Sequence, residues 1–274
     1  LKNQWVVLLY LIGVGAVALA VFVPALSGLS TAVFIGMFPL AAVAVWRSEG
    51  RPGREFGFRT DCGWYRWLAA GLAVGACIPA AFLAVQILGG WVAAAARVDA
   101  GNGFVAYALT LLLKMTLLGA VEEFVFRGFF LQALSGKAGV HWAMLLSSLL
   151  WALGHLASMV SSGVPAALAA LGMVTFSLWG IALCACVALA ERTLWLPYGL
   201  HLGINLGFSL LGWFFIIEPR TPQWWIGNPA WSPETGLLGT AVWLGLAAAA
   251  LGMGGWKKLR TLSTGGQVKG ESTW

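Results

Sequence analysis

The chain has 274 residues, 60% of them hydrophobic and 9% charged, with a mean hydropathy of +0.85. Those values exclude a soluble globular domain and mark an integral membrane protein in contact with the lipid bilayer. The formal net charge of +6 invites a nucleic-acid partner, but the basic residues fall between hydrophobic runs and mostly on one side of the membrane, which excludes one.

Runs of about 20 apolar residues, enough to cross ~30 Å of hydrocarbon, recur along the chain. The predicted spans are 5–24, 28–46, 67–90, 105–133, 142–161, 164–190, 194–216 and 236–255. The expected fold is all-α: a polytopic membrane helical bundle of about eight transmembrane helices around a polar intramembrane cavity. Residues 1–255 form one integral-membrane domain in this reading, and 256–274 a polar cytoplasmic tail. Trp5 to Val23 is too long for a signal-peptide core and has no small-residue cleavage site, so it is the first span. The break from Arg47 to Arg66 holds five arginines and is a polar loop. The break from Ile217 to Thr235, rich in Pro and Trp, suits an interfacial loop or a short surface helix.

With the N-terminus in the cytoplasm, the cytoplasmic segments carry twelve basic residues and the opposite side only Arg97 and Arg220. This asymmetry places both termini in the cytoplasm and explains the basic balance as topology. The absence of an organellar targeting sequence and the short loops point to a bacterial cytoplasmic (inner) membrane. Cys184 and Cys186 lie two apart on a predicted helix and read as core packers, not as a metal or redox pair. His141, beside Trp142 at a span boundary, reads as interfacial, and Lys114 as a side chain reaching for the outer interface.

Three short patterns carry polar groups into the spans. In Glu122-Glu123-Phe124-Val125-Phe126-Arg127, Arg127 lies one helical turn from Glu123 and can pair with it, leaving Glu122 turned aside. Ionised groups at that depth cost at least ~2.5 kcal/mol each, so three together imply a wet, protein-lined cavity. One carboxylate is held ionised by the guanidinium, and the other is available as a proton acceptor or donor. The second pattern is Trp151-Ala152-Leu153-Gly154-His155 and the third His201-Leu202-Gly203-Ile204-Asn205, each with two groups on one helix face. Counting ~1.5 Å per residue from the cytoplasmic ends puts Glu122 at roughly 16 Å, His155 at roughly 20 Å, His201 at roughly 10 Å and Asn205 at roughly 16 Å, within one slab.

A carboxylate, two imidazoles and a carboxamide in one pocket suit peptide-bond hydrolysis. A Glu with a His can deprotonate a water, while the second His and the Asn hydrogen-bond the oxyanion. The same set could hold zinc through Glu122, His155 and His201 with water in the fourth position. No cofactor is favoured and zinc remains possible, since Asn is a poor zinc ligand and the sequential zincin motif is absent.

The order Glu-Glu-x-x-x-Arg, aromatic-x-x-x-His and His-x-x-x-Asn in successive hydrophobic regions resembles the CPBP family, the CAAX proteases and bacteriocin-processing enzymes also called type II CAAX prenyl endopeptidases or ABI proteins. The resemblance covers about 105–210. It implies an intramembrane endopeptidase in which Glu122 and His155 activate the water and His201 and Asn205 bind the oxyanion, with Glu123 and Arg127 as a structural pair. It implies a membrane-associated peptide or protein substrate, cut at a CAAX-type end, a leader or a C-terminal sorting tail. The family is often labelled metalloprotease, and a metal-independent glutamate mechanism is the alternative. Trp151 stands where Phe is usual, which bears on pocket shape. Two rivals are a proton- or metal-coupled transporter using Glu122, His155 and His201 as a relay, and a non-catalytic escort of hydrophobic peptides.

Overall fold

The structure, a computed structural model, describes residues 2–23, 32–48, 50, 57–60, 63–228 and 233–255. The expected polar tail 256–274 and the arginines at 51 and 54 of the second break lie outside them. The described chain is a helical membrane bundle: α1 (Lys2–Phe22), α2 (Ala32–Ser48), α3 (Trp64–Leu88), α4 (Phe104–Glu123), α5 (Leu131–Ser161), α6 (Ala166–Leu189), α7 (Trp195–Phe214) and α8 (Leu237–Ala250).

Three features differ from the sequence expectation. Spans 105–133 and 142–161 are the two parts of one 58-residue helical run, Phe104–Ser161, broken at Gly139 (φ 78°, ψ 160°), where a left-handed φ that glycine tolerates interrupts the helix. By length and composition, four helical stretches among the described residues can cross a membrane: Gln4–Phe22, Trp64–Leu88, Phe104–Ser161 and Ala166–Leu189. Among the described residues the helices at 28–46 and 236–255 include Ala32–Ser48 and Leu237–Met253. The chain also contains a small antiparallel ribbon, β1 (Val92–Ala96) with β2 (Phe215–Pro219), pairing Ala94 with Ile217. Alternation is hidden there because β1 is almost all Ala, and the tertiary pairing decides the conformation. Beyond β2 the connector holds a one-turn helix, Gln223–Ile226, and a 3-10 turn, Pro233–Thr235.

Two elements set the position of the functional residues. The first is the junction between α4 and α5, a π-helical stretch Phe124–Phe130 directly after Glu122 and Glu123. The wider turn rotates the residues after Glu123 relative to an α-helix, and such turns recur at functional sites. Phe126, Phe129 and Phe130 drive it into an aromatic cluster. Phe126 stacks on Phe34 at 5.9 Å, Phe130 meets Phe38 edge-on at 5.4 Å, and Phe129 tilts against Trp46 at 6.1 Å. Ser147 Oγ donates to the Phe126 carbonyl at 2.6 Å, satisfying a main-chain acceptor in the apolar interior.

The second is the pair α3 and α7. Gly71 and Gly75 face Gly199 and Gly203, a small-xxx-small face on each helix, so the backbones touch. A methyl at Gly203 would lie 2.7 Å from the Leu72 carbonyl oxygen, and one at Gly199 would lie 2.5 Å from that of Leu68. This contact holds α7, with His201 and Asn205, at a fixed height. Cys184 and Cys186 are buried free thiols on α6, as core packers are.

Replacing Gly203 by Val forces α3 and α7 apart. Overpacking of this kind costs about 1–3 kcal/mol, so thermal unfolding of the purified protein shifts clearly downward, whereas Gly212→Ala, with open space around it, leaves the transition unchanged.

Candidate active site

Glu122 and Glu123 end α4, and their consecutive positions give them different neighbours. Glu123 is fully buried; its Oε1 accepts from Arg127 Nη1 at 3.1 Å, the pair that the i,i+4 spacing predicts. The same oxygen accepts from His201 Nδ1 at 2.9 Å, which sequence spacing does not reveal because 78 residues separate the two. Glu123 therefore has two partners and ties α4 to α7. Arg127, itself fully buried, lays its guanidinium over the Trp151 ring, 4.7 Å from the centroid.

Glu122 faces the other way. Its Oε2 accepts a hydrogen bond from Trp151 Nε1 at 2.6 Å and lies 3.7 Å from His201 Nε2. Trp151, read from sequence as an aromatic wall, is thus also the donor that orients the carboxylate. A Phe at this position would fill similar space and supply no N–H.

The two histidines are oriented at one nitrogen each. His155 Nδ1 lies 3.0 Å from the Trp151 carbonyl. A carbonyl only accepts, so this bond places the hydrogen on Nδ1 and leaves the Nε2 lone pair available. The ring stacks on Phe176 at 4.5 Å and meets Trp151 edge-on at 4.8 Å. His201 donates from Nδ1 to the Glu123 carboxylate, and its Nε2 is directed toward Glu122. Trp179 meets His201 edge-on at 5.3 Å and stacks on Trp243 of α8 at 4.8 Å.

Glu122, His155, His201 and Asn205 line a single cavity of about 250 Å³. Glu123, Arg127 and Trp151 stand behind these groups; Lys114 is exposed on α4 and not part of the lining. Phe176, Trp179, Phe208 and Ser209 also line it, as does Glu234 from the turn before α8. The aromatic residues carry no sequence signal that separates them from core packing. Glu234 was hidden because it lies in the Pro- and Trp-rich connector, far from the three patterns.

The zinc set named from sequence, Glu122, His155 and His201, shares the cavity, but among the described residues no three His, Cys, Asp or Glu side chains are arranged to hold a metal ion. Glu122 Oε2 is taken by Trp151, and His201 Nδ1 by Glu123. Glu122 Oε1 and the Nε2 atoms of His155 and His201 take no part in these bonds.

Arg127→Met strands the Glu123 carboxylate, which lacks solvent, beside His201 alone. Breaking a buried pair in this way costs about 3–5 kcal/mol, whereas Glu123→Gln combined with Arg127→Met removes both charges and recovers part of that loss. Unfolding curves for the single and double variants measure the difference.

Residues 102–207 match the family described as Rce1-like, type II CAAX prenyl endopeptidase Rce1-like. No curated protein and no solved structure matches the chain. The matched segment spans α4 to the middle of α7 and holds Glu122, Glu123, Arg127, Trp151, His155, His201 and Asn205. Over these residues the chain is similar to the Rce1-like family of type II CAAX prenyl endopeptidases, in agreement with the CPBP resemblance of its three motifs.

Proposed function

We propose that the protein is an intramembrane endopeptidase that hydrolyses a peptide bond of a membrane-associated substrate through a water activated by Glu122 and His155. The observation that supports this reading is the convergence of the three motifs, from α4, α5 and α7, on one cavity of about 250 Å³ in which Glu122, His155 and His201 are each oriented by a named partner.

Both Glu122 and His155 present acceptors. Trp151 occupies Glu122 Oε2 and leaves Oε1, while the Nδ1 bond of His155 leaves Nε2. A water between them donates a hydrogen to each and turns an oxygen lone pair toward the substrate carbonyl. As the water oxygen bonds to the carbonyl carbon, its proton passes to Glu122. The carbonyl oxygen becomes an oxyanion and takes hydrogen bonds from the Asn205 amide and from His201 when Nε2 carries a proton. Collapse of the tetrahedral intermediate breaks the C–N bond, and Glu122 returns the proton to the leaving nitrogen. The 3.7 Å between Glu122 Oε2 and His201 Nε2 keeps that proton within a short transfer of the oxyanion site. Glu123 acts through His201: it fixes the ring so that Nε2, not Nδ1, faces the cavity.

The substrate in this reading ends in a CAAX-type sequence, a leader or a hydrophobic sorting tail, and the protein sits in a bacterial cytoplasmic membrane with both termini inside. The charge asymmetry of the loops supports that orientation.

Two outcomes test the reading. In terminal-peptide mass spectrometry of host membranes at equal protein abundance, defined new termini appear with the wild-type chain and fall by ~100-fold or more with Glu122→Ala or His155→Ala. Identical profiles for wild type and variants, under conditions where the gene has a phenotype, would sink the hydrolase reading and favour a relay transporter. Trp151→Phe keeps the ring and removes the N–H; turnover drops by about 10- to 100-fold, the range for losing an orienting partner, with unfolding little changed.

A further inference from the structure

The catalytic cavity continues into a second one. Phe208, Ser209 and Pro233 line both it and an adjoining cavity of about 300 Å³. The lining steps along two helices toward the β ribbon. On α4 it runs from Glu122 through Leu118 and Met115 to Tyr107, and on α7 from His201 and Asn205 to Trp213, with Ile217 of β2 beyond. At ~1.5 Å per residue, Trp213 lies roughly 18 Å along α7 from His201. Gly212 lines the second cavity and is exposed, so that cavity reaches the surface at the ribbon end.

The walls of the second cavity are mostly apolar, and the donors of its two aromatic rings are spent. Tyr107 and Trp213 stack at 4.0 Å with their planes 15° apart. The Tyr107 hydroxyl donates to the Ser209 carbonyl at 3.0 Å and Trp213 Nε1 to the Ala100 carbonyl at 2.7 Å, which ties the start of α4 to the end of α7. Leu83, Leu211 and Ile217 extend the apolar surface, and among the described residues no Asp, Glu, Lys or Arg lines it. Gln86, on the last turn of α3, interrupts that surface. It is 2% exposed, and its Nε2 donates to the Ile226 carbonyl at 3.0 Å. That bond fixes the two ends of the amide, so the remaining end is Oε1, an acceptor. Among the described residues no donor meets Oε1, and unlike Glu123 Oε2 it is not sealed in. The Ser209 hydroxyl, one helical turn beyond Asn205, stands where the two cavities join.

A peptide bond inside a helix is shielded by the turns on either side of it. A segment presented for hydrolysis is therefore extended, and its N–H and C=O groups have lost their helical partners. In a water-poor interior those groups must be met by the wall. We propose that the second cavity is a substrate subsite: it takes the extended, uncharged segment on the ribbon side of the scissile bond, and Gln86 Oε1 accepts a main-chain N–H of that segment. The inference rests on the hydrolytic reading for what fills the cavity. Gln86 lies outside the three motifs and outside the family-matched residues 102–207, so it governs how this chain holds a substrate and not how it cuts. A charged side chain finds no counter-charge in this lining and is rejected by the cost of its desolvation. The structural alternative is that Gln86 only ties α3 to the connector through Ile226.

The test uses the full chain in phosphatidylcholine nanodiscs, with Glu122→Gln to stop turnover, and a labelled leucine–alanine peptide. A matched set of probes replaces one backbone amide at a time by an ester, which removes that N–H and keeps the shape. Fluorescence anisotropy is expected to show one ester in the set binding about tenfold weaker than the parent, because a buried acceptor is left unpaired. A Lys in place of the Leu beside that amide weakens binding at least as much. Gln86→Met lowers binding of the parent and abolishes its advantage over that ester, whereas a merely structural role weakens parent and ester alike. Gly212→Trp, at a position with open space around it, fills the mouth and lowers parent binding about tenfold with the unfolding temperature unchanged. No difference among the esters while Gln86 is present, a difference that persists in Gln86→Met, or unchanged binding by folded Gly212→Trp overturns the proposal. If Gln86→Met fails to fold, the ester scan and Gly212→Trp decide. Binding is read on the silenced chain and cleavage of the parent peptide on the chain with Glu122 intact, so the subsite and the hydrolytic reading fail separately.

Discussion

Glu123 has no access to solvent, and its carboxylate is the constraint on which the centre of the bundle depends. Burial of an unpaired anion costs several kcal/mol, and here both donors meet Oε1 while Oε2 has no hydrogen-bond partner. Arg127 supplies one donor from the next turn and His201 another from a helix 78 residues away. The need to satisfy one charge thereby sets the rotation of α4, the height of α7 and the face that His201 turns toward the cavity. The π-helical turn after Glu123 belongs to the same constraint, since Arg127 lies within it.

Trp151 is the second node. Its indole N–H holds Glu122, its carbonyl holds His155, its face carries Arg127, and its edge meets His201 at 5.5 Å. One residue thus contacts members of all three motifs. This arrangement gives the departure from Phe a physical content: the indole adds a donor to a carboxylate that would otherwise be held only by the distant His201 ring. Reacting groups held by rigid partners require little reorganisation during the reaction, the condition under which electrostatic stabilisation is most effective.

Around these nodes the bundle uses two kinds of packing suited to lipid. Glycines on α3 and α7 let the backbones meet, so dispersion between main chains replaces the hydrophobic effect that lipid does not provide. Phenylalanines after Glu123 do the reverse, filling the space toward α2 with rings. The site lies between a tight contact and an aromatic wedge, each holding one of the helices that meet at Glu123.

Much of this was legible in the chain. Length and hydropathy determine that the protein is a helical membrane bundle, because water-free surroundings force backbone groups to be satisfied within helices. Spacing determines local pairs: Glu123 with Arg127, and the shared faces of Trp151 with His155 and of His201 with Asn205, because an α-helix repeats every 3.6 residues whatever surrounds it. What spacing cannot reach is any relation between helices. Tertiary structure alone decided that Glu123 holds His201, that Trp151 is a donor to Glu122, that an alanine run becomes a strand, and that Glu234, from a connector with no pattern of its own, stands in the cavity wall. Each of these depends on how helices approach through space, and that approach is set by packing and by the pairing of buried charge, which no period along the sequence records.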